Sequence, residues 1–486
     1  MFHIKTNRTF TFVRQYGFVF TLMVAIGGLW YPKIGLLVLP VMIGLILTSF
    51  FKGRYWCGNI CAHGSLFDSV IIKVSMNKNI PKLFRSRYLY LPFFLFFGFK
   101  VISGLIRVSA IYGSASYFDR MGFIFVSSYI MVTLLGGTLG VLFAPRTWCN
   151  FCPMGVLQKI SYWFGKKIGV TKITDEKITV ASPDMCHLCG KCERVCPMQL
   201  APYKDFKPNH QFENENCIKC ATCVYNCPAH ILTLSNEHTG SYIKNNVNLL
   251  GYENRQKIKS VISNIERMPN DIIQYTFKFI TPKTVHYNAG QFILVQIKKH
   301  KEMFRAYSIS SFNEDGRSLS VTVKKAINGY GTTQIFENFN LGDEIILDGP
   351  MGRDLLVDEK AEKVLLIGGG IGITPFVPIV TDLVRNRSNV TNIKLLYGAN
   401  KESEFIYNDE FKSLENGNNK FELRKIVAFD NDWTGRKGFV TEHMADIKDI
   451  TDYKVYLCGP PPMINASLKK LEALGVKNEN IKYESA

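Results

Sequence analysis

The chain has 486 residues, too many for one hydrophobic core and enough for about three or four compact units. Hydrophobic residues make up 47% of it, gathered as long apolar runs in the first third, whereas the last half reads as an ordinary soluble α/β protein. Its formal charge of +18 comes with no recognition motif or basic helix, and much of the excess flanks the apolar runs; membrane-surface attraction and topology account for it, and no nucleic acid is expected as a partner.

From the N-terminus, four stretches approach the roughly 20 apolar residues that cross a bilayer: 16–30, 34–51, 88–107 and 122–144. The first is short and carries Gly17, Gly27 and Gly28, so a cleavable signal peptide competes with a membrane helix there. The second span begins only a few residues later, which favours a helical hairpin. Basic residues crowd the N-terminus (Lys5, Arg8, Arg14), the loop between spans two and three, and the segment after span four. The positive-inside rule then puts both termini and the middle loop in the cytoplasm, so the expectation is a multi-pass protein of a prokaryotic inner membrane, bathed in lipid, with every cysteine on the cytoplasmic side. None of the nine histidines falls in a span, which leaves no bis-histidine haem site.

Thirteen cysteines are present, twelve of them in tight groups and Cys458 alone. Closely spaced thiols in a chain of this size point to metal ligation in a reducing compartment and away from a disulfide scaffold. Two of the groups follow apolar spans and mirror each other: Arg54-x-x-Cys57-x-x-x-Cys61-x-x-Gly64 and Arg146-x-x-Cys149-x-x-Cys152-Pro-x-Gly155. Each looks like one half of an internal repeat, a hairpin plus a cysteine pair. Four thiolates gathered at the membrane face suit a third iron–sulfur cluster; pairs that merely pack an interface are the alternative. The pattern resembles the membrane polyferredoxins associated with nitrate and nitrous-oxide respiration and with cytochrome oxidase assembly, which repeat Arg-x-x-Cys-x-x-x-Cys-Pro. This sequence departs from them twice, with Ala62 in place of the proline and one residue fewer between Cys149 and Cys152.

Next come Cys186-x-x-Cys189-x-x-Cys192-x-x-x-Cys196-Pro and Cys217-x-x-Cys220-x-x-Cys223-x-x-x-Cys227-Pro, the bacterial two-cluster ferredoxin run given twice. Three ligands in a tight loop wrap three corners of a cubane, and the fourth reaches to the other cluster. Cys186, Cys189, Cys192 and Cys227 are accordingly assigned to one [4Fe–4S] cluster, and Cys217, Cys220, Cys223 and Cys196 to the other. Structural zinc also takes four thiolates. The crowding of three ligands and the proline after each last cysteine fit cubanes better.

After a polar stretch, alternating residues at 290–297 and 319–324 read as half-buried antiparallel strands. Arg305-x-Tyr307-Ser308 lies between them, Gly331-Thr332-Thr333 follows, and a buried strand then runs into Gly368-Gly369-Gly370-x-Gly372-x-Thr374-Pro375. Glycines there let the backbone approach a pyrophosphate at a helix start. Further on stand Lys394–Ala399 and Val455-x-x-Cys458-Gly459-Pro460. In this order the motifs resemble the ferredoxin–NAD(P)⁺ reductase superfamily over residues 257–486. The resemblance implies that Tyr307 stacks on the flavin, that Ser308 approaches its reactive nitrogen, and that Arg305 and 331–333 hold the FAD pyrophosphate. It further implies that 369–375 and Cys458-Gly459-Pro460 hold NAD(P)H, with Cys458 beside the nicotinamide. Glu484 lies in a C-terminal stretch like the family ending that approaches the flavin, although here the last residue is alanine. Lys401 is placed to meet a 2′-phosphate or to be a solvated surface residue, so the choice between NADH and NADPH stays open.

The expected architecture is multidomain. An α-helical membrane domain of about four spans with two cysteine pairs (1–168) precedes a two-[4Fe–4S] ferredoxin-like α+β domain (169–235) and a linker (236–256). An antiparallel β-barrel FAD domain (257–357) and an α/β parallel-sheet NAD(P) domain (358–486) follow. Ser308, Cys458 and Glu484 are the candidate catalytic residues. The expected activity is an oxidoreductase moving electrons between NAD(P)H and a quinone or protein redox partner through FAD and [4Fe–4S] clusters. The alternatives are an electron-donating maturation factor for another metalloprotein, a reductase component serving a separate enzyme, and a ferredoxin:NAD⁺ oxidoreductase running in the opposite direction.

Overall fold

The computed structural model describes residues 3–297 and 300–485. It has two compact units, one of residues 1–186 with 190–247 and one of residues 187–189 with 248–486.

In the first unit, four stretches are long and apolar enough to cross a membrane by length and composition: Phe12–Leu29, Pro32–Lys52, Tyr88–Ser109 and Tyr117–Leu142. The last two are continuous helices, whereas the first breaks into short pieces at Gly17 and before Gly27, and the second opens with a 3₁₀ segment, Pro32–Leu37, ahead of the helix Val38–Lys52. The breaks have a packing reason. A Cβ on Gly35 would strike the Gly122 carbonyl, and one on Gly28 would come within 2.5 Å of Val126. The hairpin therefore lies backbone to backbone against Tyr117–Leu142, a close approach that small residues permit.

The loop after the second span and the loop after the fourth meet around one buried carboxylate. Asp68 receives the Arg146 guanidinium at 2.6 Å, Arg14 at 3.5 Å and Arg8 at 3.7 Å, with all four side chains at most 4% exposed. Beyond these loops, strands β1 (Lys177–Val180) and β2 (Leu232–Ser235) pair antiparallel and frame the ferredoxin motifs. The stretch expected to be a linker contains a helix, Glu237–Asn245, capped by the Asn236 side chain accepting from the Thr239 N–H at 2.8 Å. Its Gly240 sits close against Gln211, so the segment is packed structure.

The second unit holds two six-stranded sheets. The first comprises β3 (Gln256–Met268), β4 (Ile272–Thr281), β5 (Phe292–Ile297), β6 (His300–Ser308), β7 (Ser318–Lys324) and β8 (Glu344–Met351), antiparallel in the order β6-β5-β8-β3-β4-β7. Among the described residues the strand ladder of the expected barrel runs from edge to edge without closing. Its two edge strands nevertheless meet at one end, through an Ile309–Val321 bridge and a Ser310 N–H bond to the Ser320 carbonyl. The second sheet comprises β9 (Lys363–Gly369), β10 (Asn392–Ala399), β11 (Phe421–Val427), β12 (Arg436–Lys437), β13 (Lys454–Gly459) and β14 (Ile481–Ser485), all parallel in the order β12-β11-β10-β9-β13-β14. Both of its faces are covered, Val364 and Leu366 entering one core and Leu365 and Ile367 the other. That is why β9 reads as an unbroken apolar run. Between the two sheets the Tyr407 hydroxyl bonds Gln274 at 2.8 Å and also Thr322.

Replacing Asp68 with asparagine leaves three buried guanidiniums without their shared anion. Breaking a buried ion pair from one side costs about 3–5 kcal/mol. We expect Asp68→Asn to lower the thermal midpoint of the detergent-purified chain or abolish its accumulation. An unchanged midpoint would show that the carboxylate is not the hub of the first unit.

Candidate functional site

The cysteine pairs of the first unit occupy equivalent places despite their unequal spacing. Cys61 caps the helix Ala62–Leu66 with φ −56°, ψ 121°, and Cys152 caps Pro153–Ile168 with φ −57°, ψ 127°. Ala62 thus stands at the first helical position that Pro153 occupies in the other copy, a place where proline is favoured but not required. The extra residue is absorbed before it, where the helix Tyr55–Asn59 replaces the shorter 3₁₀ turn Trp148–Asn150. The two departures from the family pattern therefore leave the local geometry intact.

All four cysteines border one cavity of about 120 Å³ whose walls are almost entirely apolar. Arginines cross over between the copies. Arg54 donates to its own Cys57 Sγ at 3.8 Å and to the Cys149 carbonyl at 2.7 Å. Arg146 donates to its own Cys149 Sγ at 3.7 Å and to the Cys57 carbonyl at 2.9 Å. Gly64 and Gly155 make room for the opposite arginine, since a Cβ on Gly64 would lie 2.6 Å from Arg146 and one on Gly155 3.1 Å from Arg54. Gln158 adds a third donor, from its amide to Cys57 Sγ at 3.0 Å. Among the described residues no three His, Cys, Asp or Glu side chains converge closely enough to hold a single ion. The thiols instead ring a space, and buried Nε atoms of Arg54 and Arg146 lack any hydrogen-bond acceptor. Cations left short of acceptors beside four thiols fit an anionic cluster.

The ferredoxin motifs repeat in backbone as well as in sequence. Gly190 (φ 63°) and Ala221 (φ 57°) follow the second cysteine of each motif in the left-handed conformation and start the short helices that carry Cys192 and Cys223. Cys186 lies at the end of a 3₁₀ turn, Cys189 falls in the short stretch grouped with the second unit, and Cys227 follows the helix Thr222–Tyr225. Burial pushes the Cys223 thiol well up, and the neighbouring Cys220, Cys217 and Cys196 thiols add to it. Cys196 and Cys220 also pack in one apolar core with Cys57, Cys149 and Cys152. Gly58, next to Cys57, lies so close to Ile218 and Cys220 that a side chain there would collide with the Ile218 carbonyl.

In the second unit, Tyr307 and Ser308 end β6 in register with Ile293 and Phe292, and the half-buried Tyr307 ring packs against the core of the antiparallel sheet. Arg305 lies across the start of the helix Tyr330–Asn338, where a Cβ on Gly331 would come within 2.7 Å of its Nε. Thr332 Oγ1 accepts the Ala326 N–H at 3.1 Å and donates to the Gly329 carbonyl at 3.0 Å, which leaves Thr333 to offer a hydroxyl. A helix start with a guanidinium beside it fits a pyrophosphate. On the parallel sheet, β9 and β13 are neighbours while the chain leaves β9 towards β10 on the other side, so the crevice at their carboxyl ends is the switch point where such folds bind nucleotides. A cavity of about 630 Å³ opens there, bordered by Gly369, Gly370, Pro460, Glu404 and Phe439. Gly372 passes directly beneath the Cys458 carbonyl, where a Cβ would not fit, and buried Thr374 and Pro375 lead into the helix Phe376–Arg385. Gly459 likewise leaves no room for a side chain beside Met463.

Family models match in the same order. An oxidoreductase FAD-binding domain matches residues 259–354, an oxidoreductase NAD-binding domain 366–469, a 4Fe–4S dicluster domain 185–232, and a 4Fe–4S binding domain 34–81 and 127–171. Fold and matches together define the class: an NAD(P)H-dependent oxidoreductase with ferredoxin–NAD(P)⁺ reductase domains for FAD and NAD(P)H and with [4Fe–4S] ferredoxin domains. The chain is 24% identical over 308 residues to the reductase component of propane 2-monooxygenase of Rhodococcus jostii strain RHA1, covering 62% of this chain and 80% of that one. It is 25% identical over 233 residues to a ferredoxin–NAD(P)⁺ reductase of Metapseudomonas resinovorans, covering 47% and 69%. Among solved structures, the ferredoxin reductase in carbazole 1,9a-dioxygenase is 26% identical, with a TM-score of 0.43 over 48% of this chain and 69% of that one.

Several site features had no reading in the sequence: the sulfur-directed arginines and Gln158, the Asp68 hub, Glu404, and the place of Glu484. The C-terminal stretch forms β14, which sets Glu484 in register beside Cys458. Burial, with Glu484 adding, pushes the Cys458 thiol up, so it is a thiol near neutral pH. Burial first, and then Asp354, raises Glu484 from 4.5 to about 7. The folded chain thus keeps a proton on Glu484, between about 4.5 and about 7, that the unfolded chain has released. Its contribution to stability is greatest at the acid end of this window and is lost as pH rises through about 7. The unfolding midpoint of the wild type is expected to fall more steeply than that of Glu484→Gln between about pH 5 and pH 8. Parallel curves would remove Glu484 as the cause.

Proposed function

We propose that this chain is a membrane-bound oxidoreductase that takes electrons from NADH and delivers them, through FAD and [4Fe–4S] clusters, to a quinone or protein partner at the cytoplasmic face of a prokaryotic inner membrane. FAD, when bound, accepts a hydride and returns single electrons, which the clusters carry. Arg305 and the start of Tyr330–Asn338 would hold its pyrophosphate. The Gly369–Pro375 turn and Cys458-Gly459-Pro460 would hold the nucleotide, with Cys458, Ser308 and Glu484 as the residues for the reacting groups.

The observation that carries the exit at the membrane is the shared apolar core of the first unit. Cys196 and Cys220, ligands of one ferredoxin cluster, pack there with Cys57, Cys149 and Cys152. We assign Cys57, Cys61, Cys149 and Cys152 to a third cluster, next in line after the ferredoxin pair. The membrane reading is supported by the helix Arg87–Ser109, which exposes Leu91, Leu95, Phe96, Phe99, Ile102 and Ile106 by at least half of each side chain. An apolar surface of that kind belongs in lipid or against a partner. The relatives of the flavin unit favour a second reading, since two of those described are named as reductases of oxygenase systems.

Anaerobically purified wild type should contain about twelve irons per flavin and oxidise NADH with a quinone analogue. Cys61→Ser and Cys152→Ser should each lose about four irons and the quinone activity, while NADH-dependent ferricyanide reduction persists. Activity that appears only when a separate oxygenase or ferredoxin is added would overturn the quinone reading in favour of the second one.

The coenzyme choice follows from Glu404. It borders the nucleotide cavity just after β10 and accepts the Asn400 N–H at 3.2 Å. An acidic side chain in this position hydrogen-bonds a ribose 2′-hydroxyl and repels a 2′-phosphate. Glu404→Gln is expected to narrow an NADH preference in kcat/KM by about tenfold or more, a change of roughly 1.4 kcal/mol. An NADPH preference in the wild type would refute the assignment.

A further inference from the structure

We infer that Arg54 and Arg146 hold the cluster at the membrane face at a higher reduction potential than the ferredoxin cluster of Cys196, Cys217, Cys220 and Cys223, and so make the membrane face the electron sink. This rests on the assignment of a cluster to Cys57, Cys61, Cys149 and Cys152.

An iron–sulfur cluster becomes more negative when it gains an electron. Its potential is therefore set by net charge, hydrogen bonds to sulfur and solvent exposure. Burial among apolar side chains opposes the added charge, because the reduced form loses hydration. Fixed cations and N–H donors aimed at the sulfurs favour it, and in a dry site they are little screened. The two sites differ in how these effects balance.

At the membrane face, two guanidiniums donate to ligand sulfurs, Arg54 to Cys57 and Arg146 to Cys149, and Gln158 supplies a third donor at 3.0 Å. Arg54 is 3% exposed, and the described ion pairs give it no carboxylate. Arg146 shares Asp68 with Arg8 and Arg14, so one buried acid is set against four buried arginines. The excess positive charge is left for the cluster to meet.

The cations near the ferredoxin sulfurs make their hydrogen bonds elsewhere: Arg85, beside Cys196, donates to the Met198 and Gln199 carbonyls at 3.2 and 3.4 Å. Lys219, between two of its cysteines, is tied to Asp175 and to the Lys52 carbonyl at 2.8 Å. Arg14 reaches only the Cys220 carbonyl, at 2.8 Å, and is itself paired with Asp68. The donors to sulfur there are neutral: Thr222 Oγ1 lies 3.3 Å from Cys220 Sγ, and the backbone N–H groups of Leu200 and Lys219 serve Cys196 and Cys217. Both sites are buried, so the difference lies in the arginines. The same difference sets a direction. Single electrons arriving at the ferredoxin cluster run downhill to the membrane face, and the reverse flow, towards NAD⁺, is opposed.

The test is a redox titration of the anaerobically purified full chain, followed by electron paramagnetic resonance. The wave of the membrane-face cluster is identified as the one missing from Cys61→Ser. In the wild type it should be reduced before the ferredoxin wave that is missing from Cys217→Ser. In Arg54→Gln and in Arg146→Gln this wave should move to lower potential by more than any ferredoxin wave, with the reduced-to-oxidised ratio at fixed poise falling about tenfold, or about 59 mV for a one-electron couple. Arg54→Lys, which keeps the charge but not the fork, should recover most of the shift. If a variant fails to assemble, the order of the waves in the wild type still decides. A membrane-face wave reduced together with or after that ferredoxin wave overturns the inference, as does an unmoved wave in both glutamine variants, while the cluster assignment stands. About eight irons per flavin in the wild type, unchanged in Cys61→Ser, overturns the cluster assignment and the inference with it.

Discussion

A guanidinium can be buried only beside something that answers its charge. The first unit buries Arg8, Arg14, Arg54 and Arg146 and provides Asp68 as the carboxylate among them. Much of its architecture follows from this constraint. Asp68 draws the N-terminal segment and the two loops after the apolar spans into one place. The arginines that remain short of acceptors then cross from each cysteine pair to the backbone of the other. Gly64 and Gly155 are small because the opposite arginine passes over them. The thiols border a common cavity because the crossing pins the two halves of the repeat face to face.

The second unit is governed by a different constraint, the reversal of strand order beside β9. The chain proceeds from β9 to β10 and β11 on one side, and returns to place β13 and β14 on the other. That reversal opens a crevice at the carboxyl ends of β9 and β13, where Gly372 runs under Cys458 and Glu404 stands at the rim. The glycines are needed there because two backbone segments and a nucleotide share the same space. Tyr407 then couples the two sheets through Gln274 of β4 and Thr322 of β7.

The two units serve one-electron and two-electron chemistry respectively, and the protein's own contribution differs accordingly. At the crevice of the parallel sheet it supplies shape and a buried protonated carboxyl, with Cys458 and Glu484 held in register on adjoining strands. Around the clusters it supplies charge, since apolar packing alone would disfavour an added electron.

The motifs that bind clusters and nucleotides were legible in the sequence because their chemistry is local. A cubane needs three thiolates within a few residues, and a pyrophosphate needs glycines at a helix start, so spacing alone reveals both. The four apolar stretches were legible for the same reason, since crossing a bilayer is a matter of length and composition. How the edges of the antiparallel sheet meet, through Ile309 and Val321, was not legible, because strand alternation reports which face is buried and not whether a sheet's edges join. Arg54 and Arg146 were visible only as repeated letters. That each serves the sulfur of its own pair and the carbonyl of the other depends on bringing together segments about 90 residues apart, which no local pattern encodes. Glu484 likewise looked like a tail residue. Only the parallel pairing of β14 with β13 set it beside Cys458, where burial could hold its proton. The sequence by itself determined which cofactors the chain can hold; the tertiary structure decided which charges surround them, because those charges come from residues that meet only when the chain folds.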